Sequence, residues 1–463
     1  MKKIVLSLAG VMAAVAFAPE ASALPLFARQ TGMACSACHF QHFPLLNGFG
    51  RAFKAAGFTM MGAQGKVEEA GSLSIPAELN MAVLTSFGYG KTNQIADTTA
   101  LTKNPGNGVI GVPGLGMGNG GGTTEASLFF GGHVSDNAGF LAELGLTGGG
   151  AALGSAKLPI LYEVADGTRA GVVPFATNAQ GASYGMELLN TGANAVHMMS
   201  NTVGYNGEFA GAMSAQQYLG TAGNATGAAL VATNDKGFLN LTKYNQGGIA
   251  NGSFGSMGST YARAAATFDV AGWDTGVGIQ NWSGQSMFSN AGAFPGYTGF
   301  AGQQAAFTAV QTMQQTKATA IDGQMQGELG GMPVGFYASW ATAPASTGVA
   351  YVNSYNGGTM TRSSFNVDAE VGVVPGVATL GAAIRRGNSG MDAGVAAGGA
   401  ANGSNASDNA IYLTGTYKIQ QNMMARLSYV KQSGSYWTSN ATGTGTSQTL
   451  GDTTTMLNMY VLF

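Results

Sequence analysis

The chain has 463 residues, of which only 9% are charged and 74 are glycine. Soluble domains average about 25% charged residues and about 7% glycine. The formal net charge of −2 argues against a nucleic-acid-binding protein, which would need a basic surface. The glycine content argues against a coiled coil or helical bundle, because each interior glycine costs about 1 kcal/mol of helix stability. The low charge indicates that much of the surface does not face water.

The N-terminus has the pattern of an export signal. Two lysines precede an apolar stretch over 4–18, which is shorter than the about 20 residues needed to cross a bilayer. The sequence Ala-Ser-Ala at 21–23 matches the small-residue pattern of a cleavage site. We therefore predict a signal peptide over 1–23, a mature chain that begins at Leu24 and an extracytoplasmic location. An uncleaved anchor helix is the alternative.

The two cysteines of the chain lie in the sequence Cys-Ser-Ala-Cys-His at 35–39. This is the attachment sequence of c-type haem, in which both thiols bond to the haem and the adjacent imidazole coordinates the iron. Haem is attached outside the cytoplasm, in agreement with the export signal. We predict one covalent haem on Cys35 and Cys38, with His39 as the proximal iron ligand. A thiol–disulfide centre and a zinc site that adds His42 are the alternatives.

Residues 24–70 are predicted to form a small monohaem module. Aromatic side chains follow the motif and would shield a porphyrin, and their spacing predicts a short helix near 45–56. Arg51 and Lys54 are predicted to pair with the haem propionates, and Arg29 is a third cation nearby. The alternative for each cation is a solvated surface charge.

The second axial ligand of the haem iron is less constrained. His42 lies only three residues beyond the proximal histidine, so we expect it on the same side of the haem as a hydrogen-bonding or surface side chain. Met60 is the candidate that we name for the distal position, because a thioether there would close the other face and raise the potential. Met61, the more distant His133 and His197, and an open or water-ligated position remain alternatives.

The rest of the chain, residues 75–463, alternates apolar and polar side chains as half-buried strands do. Over 365–373, one face carries phenylalanine, valine and alanine and the other carries asparagine, aspartate and glutamate. Stretches rich in glycine, asparagine and serine predict loops, and Val-Pro-Gly at 374–376 predicts a tight turn. The same alternation occurs at 140–146, 262–270, 411–419, 423–429 and 457–463, and the predicted loops are 102–123, 219–227 and 387–408.

These features predict an all-β fold, a transmembrane antiparallel β-barrel of about sixteen strands. Sixteen strands leave about 24 residues for each strand and its connection, which accommodates the 9–11 residues of a crossing strand. A terminal apolar strand that ends in Phe463 is the feature that outer-membrane assembly machinery usually recognises. We therefore expect a barrel in the outer membrane of a Gram-negative bacterium, in contact with lipid, whose polar lumen is wide enough to hold the small haem module.

The N-terminal region resembles the fused monohaem cytochrome–porins of iron-oxidising bacteria. The resemblance is specific over about residues 25–62, whereas the barrel shares only the order of parts, the length and the composition. It is carried by FARQTGMACSACH at 27–39 and by Pro44, Leu46, Asn47, Phe49, Gly50, Arg51, Phe53 and Lys54. The resemblance implies an outer-membrane Fe(II) oxidase whose haem plugs the barrel, with extracellular Fe(II) as electron donor and a periplasmic c-type cytochrome as acceptor.

The acidic residues predicted on polar strand faces have two interpretations. Glu143, Asp368 and Glu370 have the hard oxygen ligands that suit Fe(II), or they merely make the lumen polar. Two further functions stay open at this point. One is a passive porin with a structural haem, and the other is an electron conduit for a different extracellular donor or acceptor.

Overall fold

The computed structural model describes thirteen stretches of the chain and leaves the predicted signal peptide, His197 and most of 102–123 outside them. None of the helices in these stretches is long and apolar enough to cross a membrane. The described residues are 25–62, 64–69, 73–92, 109–111, 126–147, 150–178, 180–193, 214–247, 257–288, 312–346, 352–396, 400–437 and 453–463.

The N-terminal module consists of two helices and a helical turn. Helix α1 spans Pro25–Thr31, a 3₁₀ turn spans Cys35–Ala37, and helix α2 spans Gly48–Ala55. The Asn47 side chain caps α2 by accepting a hydrogen bond from the Gly50 amide, as short polar residues do at helix N-termini. The helix predicted near 45–56 is confirmed. A two-stranded sheet of β1 (Lys66–Glu69) and β2 (Leu73–Pro76) then leads to the barrel.

The barrel is closed, and all of its strand pairs are antiparallel. Within the described residues its wall has sixteen strands, because β4, β14 and β19 are short flanking pieces and β7 and β8 pair with the same two neighbours. The strands are β3 (Met81–Thr92), β4 (Val109–Gly111), β5 (Ala126–Ser135), β6 (Ala138–Thr147), β7 (Gly150–Lys157), β8 (Ile160–Ala165), β9 (Thr168–Thr177), β10 (Ala225–Asn234), β11 (Gly237–Asn245), β12 (Ser259–Val270), β13 (Trp273–Phe288), β14 (Thr312–Gln315), β15 (Ala318–Leu329), β16 (Met332–Ala343), β17 (Arg362–Val374), β18 (Ala378–Asp392), β19 (Asn405–Ser407), β20 (Asn409–Gln420), β21 (Met423–Ser433) and β22 (Thr453–Leu462).

The predicted alternation is confirmed. In β17, Asn366, Asp368 and Glu370 face the lumen and are buried, whereas Phe365 and Val373 are exposed on the other face. Large apolar side chains are exposed in the same way on most other strands. A band of exposed apolar side chains around the wall suits contact with lipid and not with water. The chain is therefore an outer-membrane barrel with a polar interior, as predicted.

All three predicted loops contain strand residues, and the first of them, 102–123, includes β4. Strand β10 begins at Ala225, and β18 continues to Asp392. The Asp392 carboxylate accepts backbone hydrogen bonds from Gly394, Asn402 and Gly403, which orders the connection that follows. Glycine- and alanine-rich composition misled the prediction, because this barrel uses the same residues inside its strands.

The two ends of the barrel differ in their connections. Seven hairpin connections of only two or three residues lie at the end where β3 begins and β22 finishes. The turn at 330–331 is typical, since both glycines adopt positive φ angles of 59° and 81°, as tight hairpins require. Short turns face the periplasm in this class of barrel. The turn predicted at 374–376 is also found at this end, over 375–377.

A long connection between β9 and β10 folds into the lumen. Its described parts, 180–193 and 214–221, are called the inward segment here, and most of their side chains are buried. The Asn190 amide donates to the Gln324 side chain at 2.6 Å, and the Tyr218 hydroxyl donates to Asp408 at 2.9 Å. Because Gln324 lies on β15 and Asp408 lies between β19 and β20, the inward segment reaches separate parts of the wall across the lumen.

Buried ion pairs fix the inward segment to the wall. The Arg263 guanidinium of β12 donates to both carboxylate oxygens of Asp322 on β15 and to Glu187 at 3.2 Å. All three side chains are shielded from solvent. In a low-dielectric interior, removing one member of such a group leaves the remaining buried charges uncompensated, which destabilises the fold.

Replacing Arg263 by alanine is expected to lower the free energy of unfolding by about 3–5 kcal/mol, because two buried carboxylates would lose their partner. Denaturant titration of the refolded barrel, followed by tryptophan fluorescence, measures this loss. Lys236→Ala is the matched control, since Lys236 lies exposed in a short turn and its loss should cost less than about 0.5 kcal/mol. Equal losses for the two variants would contradict the structural role of the ion pairs.

Candidate functional site

The Cys-x-x-Cys-His sequence forms one helical turn. The Cys38 amide donates to the Cys35 carbonyl at 3.1 Å, and the His39 amide donates to the same carbonyl at 2.9 Å. Positions i, i+3 and i+4 of a helical turn share one face. Both thiols and the imidazole therefore start from the same side of the turn, and no disulfide joins the two cysteines.

The His39 ring is prepared for a metal on one nitrogen. Its Nδ1 donates to the Leu45 carbonyl at 3.0 Å, which leaves the Nε2 lone pair unprotonated. No described residue forms a hydrogen bond with Nε2. Burial lowers the pKa of His39 to about 4, so the ring is neutral at neutral pH. A neutral imidazole that donates its other N–H to a carbonyl is the usual form of a metal-bound histidine.

His42 occupies a different environment. Its Nδ1 donates to the Phe43 carbonyl at 2.7 Å, and its Nε2 lies 2.8 and 3.0 Å from the two carboxylate oxygens of Glu370. The side chain is buried. His42 is thus the hydrogen-bonding residue that we expected, although it is not at the surface. The zinc alternative fails, because both ring nitrogens are engaged and the described residues hold no group of three or more metal-ligating side chains.

The two predicted propionate partners are each near an acidic residue. Arg51 pairs with Asp274 of β13, with Nη2 at 2.6 Å from both carboxylate oxygens, and its buried Nη1 has no partner. Burial lowers the pKa of Lys54 to about 8, partly offset by the nearby Glu187 carboxylate. Arg29, the third cation, donates to the Met81 carbonyl. Arg51 therefore keeps one nitrogen for a further anion.

A fourth cation, Arg426 of β21, was not predicted as a site residue. Its side chain is 1% exposed, and none of its three guanidinium nitrogens has a hydrogen-bond partner. It lies within electrostatic range of Asp368 and Glu370, and Glu370 contacts the module through His42. The only signal in the sequence was that Arg426 falls on the polar face of a strand. An unsatisfied guanidinium beside the module fits the propionate group of a haem.

The wall also contributes His133 to the module. The Gln30 side chain of α1 accepts from the His133 amide at 3.1 Å and donates to the Phe58 and Met60 carbonyls at 2.7 and 2.8 Å. The His133 ring itself donates from Nδ1 to the Thr59 carbonyl at 2.9 Å. The structure thus brings His133, which the sequence left distant, beside the segment that carries Met60.

The module lies inside the short-turn end of the barrel. Each of its wall contacts falls within about five residues of a short turn or a barrel terminus. One set is apolar: the Phe43 ring packs with Leu84, Met424, Tyr460 and Leu462. The polar contacts are Arg29 with Met81, Thr59 with His133, Arg51 with Asp274, Gln41 with Pro333 and His42 with Glu370.

The inward segment contacts the module from the other side. The Asn190 side chain accepts from the Leu46 amide at 2.8 Å and donates to the Leu46 carbonyl at 2.9 Å. The Asn190 side-chain amide thus bonds to the Leu46 backbone in the way that the backbone of a neighbouring strand would. The module and the inward segment therefore form two successive layers across the lumen.

The predicted Fe(II)-attracting acids do not converge. Glu143 accepts from the Ser127 and Ser155 hydroxyls, each at 3.1 Å, whereas Glu370 is paired with His42. Asp368 and Glu370 lie on one strand of the lumen wall, and Glu143 lies on another. These contacts match the simpler interpretation, in which carboxylates make the lumen polar.

Comparisons with known proteins find no sequence match and several distant structural likenesses. No family model matches the sequence, and no curated protein matches it. Vibrio cholerae OmpT is similar in structure, with a TM-score of 0.46 and 10% identity over 86% of this chain and 100% of that chain. Salmonella typhi OmpF, in a complex with daunomycin, gives 0.45 and 12% over 86% and 100%. The DcaP channel of Acinetobacter baumannii gives 0.42 and 10% over 83% and 97%.

Such identities say nothing about what this chain does. Its own closed wall, apolar exterior and polar lumen define the class, which is a porin-like barrel of the Gram-negative outer membrane. A more specific function depends on the residues inside the barrel.

Proposed function

We propose that this barrel carries one covalent haem and moves electrons from extracellular Fe(II) to a periplasmic c-type cytochrome, as in the monohaem cytochrome–porins that its N-terminus resembles. One observation carries the proposal. The Cys35–His39 turn, with a neutral imidazole and an unpartnered Nε2, belongs to a module that lies in the periplasmic mouth of the barrel. A redox centre in that place borders the compartment of the acceptor.

Different residues of the module and the wall would hold different parts of the haem. Cys35 and Cys38 would form the two thioether bonds, and the hydrogen bond to the Leu45 carbonyl would hold the His39 ring with Nε2 available to the iron. The free nitrogen of Arg51 and the guanidinium of Arg426 are available to the propionates. When bound, the haem supplies a couple that accepts and returns one electron at a time.

The layers across the lumen favour electron transfer over solute flow. The module and the inward segment are joined by Asn190 and Leu46, and each is bonded to the wall. Solutes would need a route around both layers to cross, whereas an electron would need only a donor within tunnelling distance of the haem. Fe(II) would have to reach that distance from the extracellular side. This arrangement supports a conduit in which the barrel holds the haem at the membrane.

The test is anaerobic addition of Fe(II) to intact outer membranes that contain the oxidised protein. The reduced haem bands are expected to appear quickly, and the same membranes with a Cys35→Ser, Cys38→Ser protein are expected to show none. If dithionite reduces the haem but Fe(II) does not, another donor must be sought and the Fe(II) proposal fails. If no haem band is seen at all, the whole haem proposal fails.

A passive porin with a structural haem is the second candidate. The barrel architecture itself favours it, since porin-like walls of this kind commonly enclose solute channels. The two candidates differ in a measurable quantity, the flux of small solutes through the unmodified protein.

A further inference from the structure

We propose that His133, a residue of the barrel wall, is the second axial ligand of the haem iron. This inference rests on the proposed function, because it requires that the module carries haem. It assigns the distal position to an imidazole in place of the Met60 thioether expected from the sequence.

The first observation is the state of the His133 ring. Its Nδ1 donates to the Thr59 carbonyl at 2.9 Å, so Nε2 carries the free lone pair. That Nε2 is buried and has no hydrogen-bond partner, in a side chain that is 4% exposed. A buried polar atom without a partner destabilises the folded state. The structure therefore holds a ligand-ready nitrogen that the described residues do not use.

The second observation is a match with the proximal histidine. His39 and His133 both donate Nδ1–H to a backbone carbonyl of the module and keep Nε2 free of hydrogen bonds to described residues. His42, the third described histidine, has both nitrogens engaged. Because ligating histidines are usually oriented by such a carbonyl bond, the same arrangement at His133 points to the same role.

The third observation is how closely the wall approaches the module at this point. A side chain on Gly132 would place its Cβ 2.1 Å from the Gln30 side-chain oxygen, and one on Gly139 would place it 1.9 Å from the Gly57 carbonyl oxygen. Gly132 also has a positive φ of 122°, which other residues rarely adopt. These glycines let β5 and β6 lie directly against the module, so His133 is held at fixed distance from it.

A cluster of aromatic side chains adjoins, in the chain, the residue that fixes the His133 ring. Thr59, which fixes the ring, follows Phe58, and the Phe58 ring stacks on Phe27 with centroids 4.9 Å apart. Phe53 packs against both rings, at 5.0 and 5.9 Å. Aromatic side chains of this kind suit the flat apolar face of a porphyrin.

An imidazole from the wall has two consequences. Two histidines give a lower potential than histidine with methionine, since the thioether raises it. In addition, the haem would be bonded covalently to the module and coordinated by the barrel, so that it joins the two parts.

The experiment is optical and magnetic circular dichroism spectroscopy of the purified, full-length oxidised protein in detergent. We expect a low-spin haem without the sulfur-to-iron charge-transfer band of methionine ligation. His133→Ala should convert most of the haem to the high-spin form, and added imidazole should restore the low-spin form. His133→Met should introduce the sulfur band and raise the midpoint potential.

Met60→Leu is the matched control, because it removes the competing ligand from the neighbouring segment and should leave the spectrum unchanged. A sulfur band in the unmodified protein that Met60→Leu abolishes would overturn the proposal, as would a His133→Ala spectrum identical to that of the original protein. Both results require haem to be present, so they leave the proposed function intact. Only a protein without covalent haem would overturn both. If His133→Ala does not fold, the unmodified and Met60→Leu spectra still decide between the two ligands.

Discussion

Replacing Cys35 and Cys38 by serine is expected to remove the covalent haem completely while the barrel still assembles. The two thiols are the only cysteines in the chain, so no other residue can form a thioether bond to the haem. Haem staining after denaturing electrophoresis should fall to background, and reduction by Fe(II) should be lost with it. The barrel should persist, because its wall is closed by strand pairs from Met81 onwards that do not include the motif.

Ser36→Ala is the control for this experiment, since it alters the same turn without removing a thiol. It should retain haem at the level of the original protein. Barrel formation is checked in all three proteins by the shift in electrophoretic mobility on heating. Haem staining that survives the loss of both cysteines would show that the motif does not attach the haem.

Deleting residues 25–62 is expected to raise the single-channel conductance in planar bilayers by about tenfold or more, because an open lumen of a sixteen-stranded barrel is a water-filled channel. The unmodified protein should conduct poorly, since the module is bonded around the inner wall at Asp274, Pro333 and Glu370. The inward segment remains in the deletion variant and would narrow the channel without the module beneath it.

A single substitution distinguishes a loosened module in the lumen from a misfolded barrel. Arg51→Ala removes one bond between module and wall, to Asp274, and leaves the barrel sequence intact, so it should cause only brief openings. If the unmodified protein conducts as well as the deletion variant, the lumen is open and the passive porin is the better account. Conductance is compared only among preparations that show the heat-dependent mobility shift of a folded barrel.

The wall was predictable because a membrane barrel repeats one simple pattern. The alternation around Phe365 and Asp368 assigned the two faces of β17 correctly, and the same was true of β6, β12, β20 and β21. The short helix beside the Cys-x-x-Cys-His sequence was predictable because its signal is local. In each case the information lies within a few neighbouring residues.

The interior was less predictable because its contacts join residues far apart in the chain. Nothing near Arg51 indicates that its partner is Asp274, 223 residues away. The inward segment has no periodic pattern, so its burial follows from the closed wall and from ion pairs such as Glu187 with Arg263. His133 was only a distant alternative for the second axial ligand, and the approach of Gly132 to α1 explains its position beside the module.

The packing of Phe43 has a consequence for the order of assembly. Its ring contacts Leu84 on β3 and Leu462 on β22, and these two strands are the first and last of the wall, which join at the seam that closes the ring. The Phe463 and Val83 backbones exchange hydrogen bonds across the same seam. The pocket for Phe43 does not exist until the two edges meet, so Phe43 can pack there only after the ring has closed. Attachment of the proposed haem would not depend on that step, and the packed Phe43 ring would then bridge the two strands of the seam.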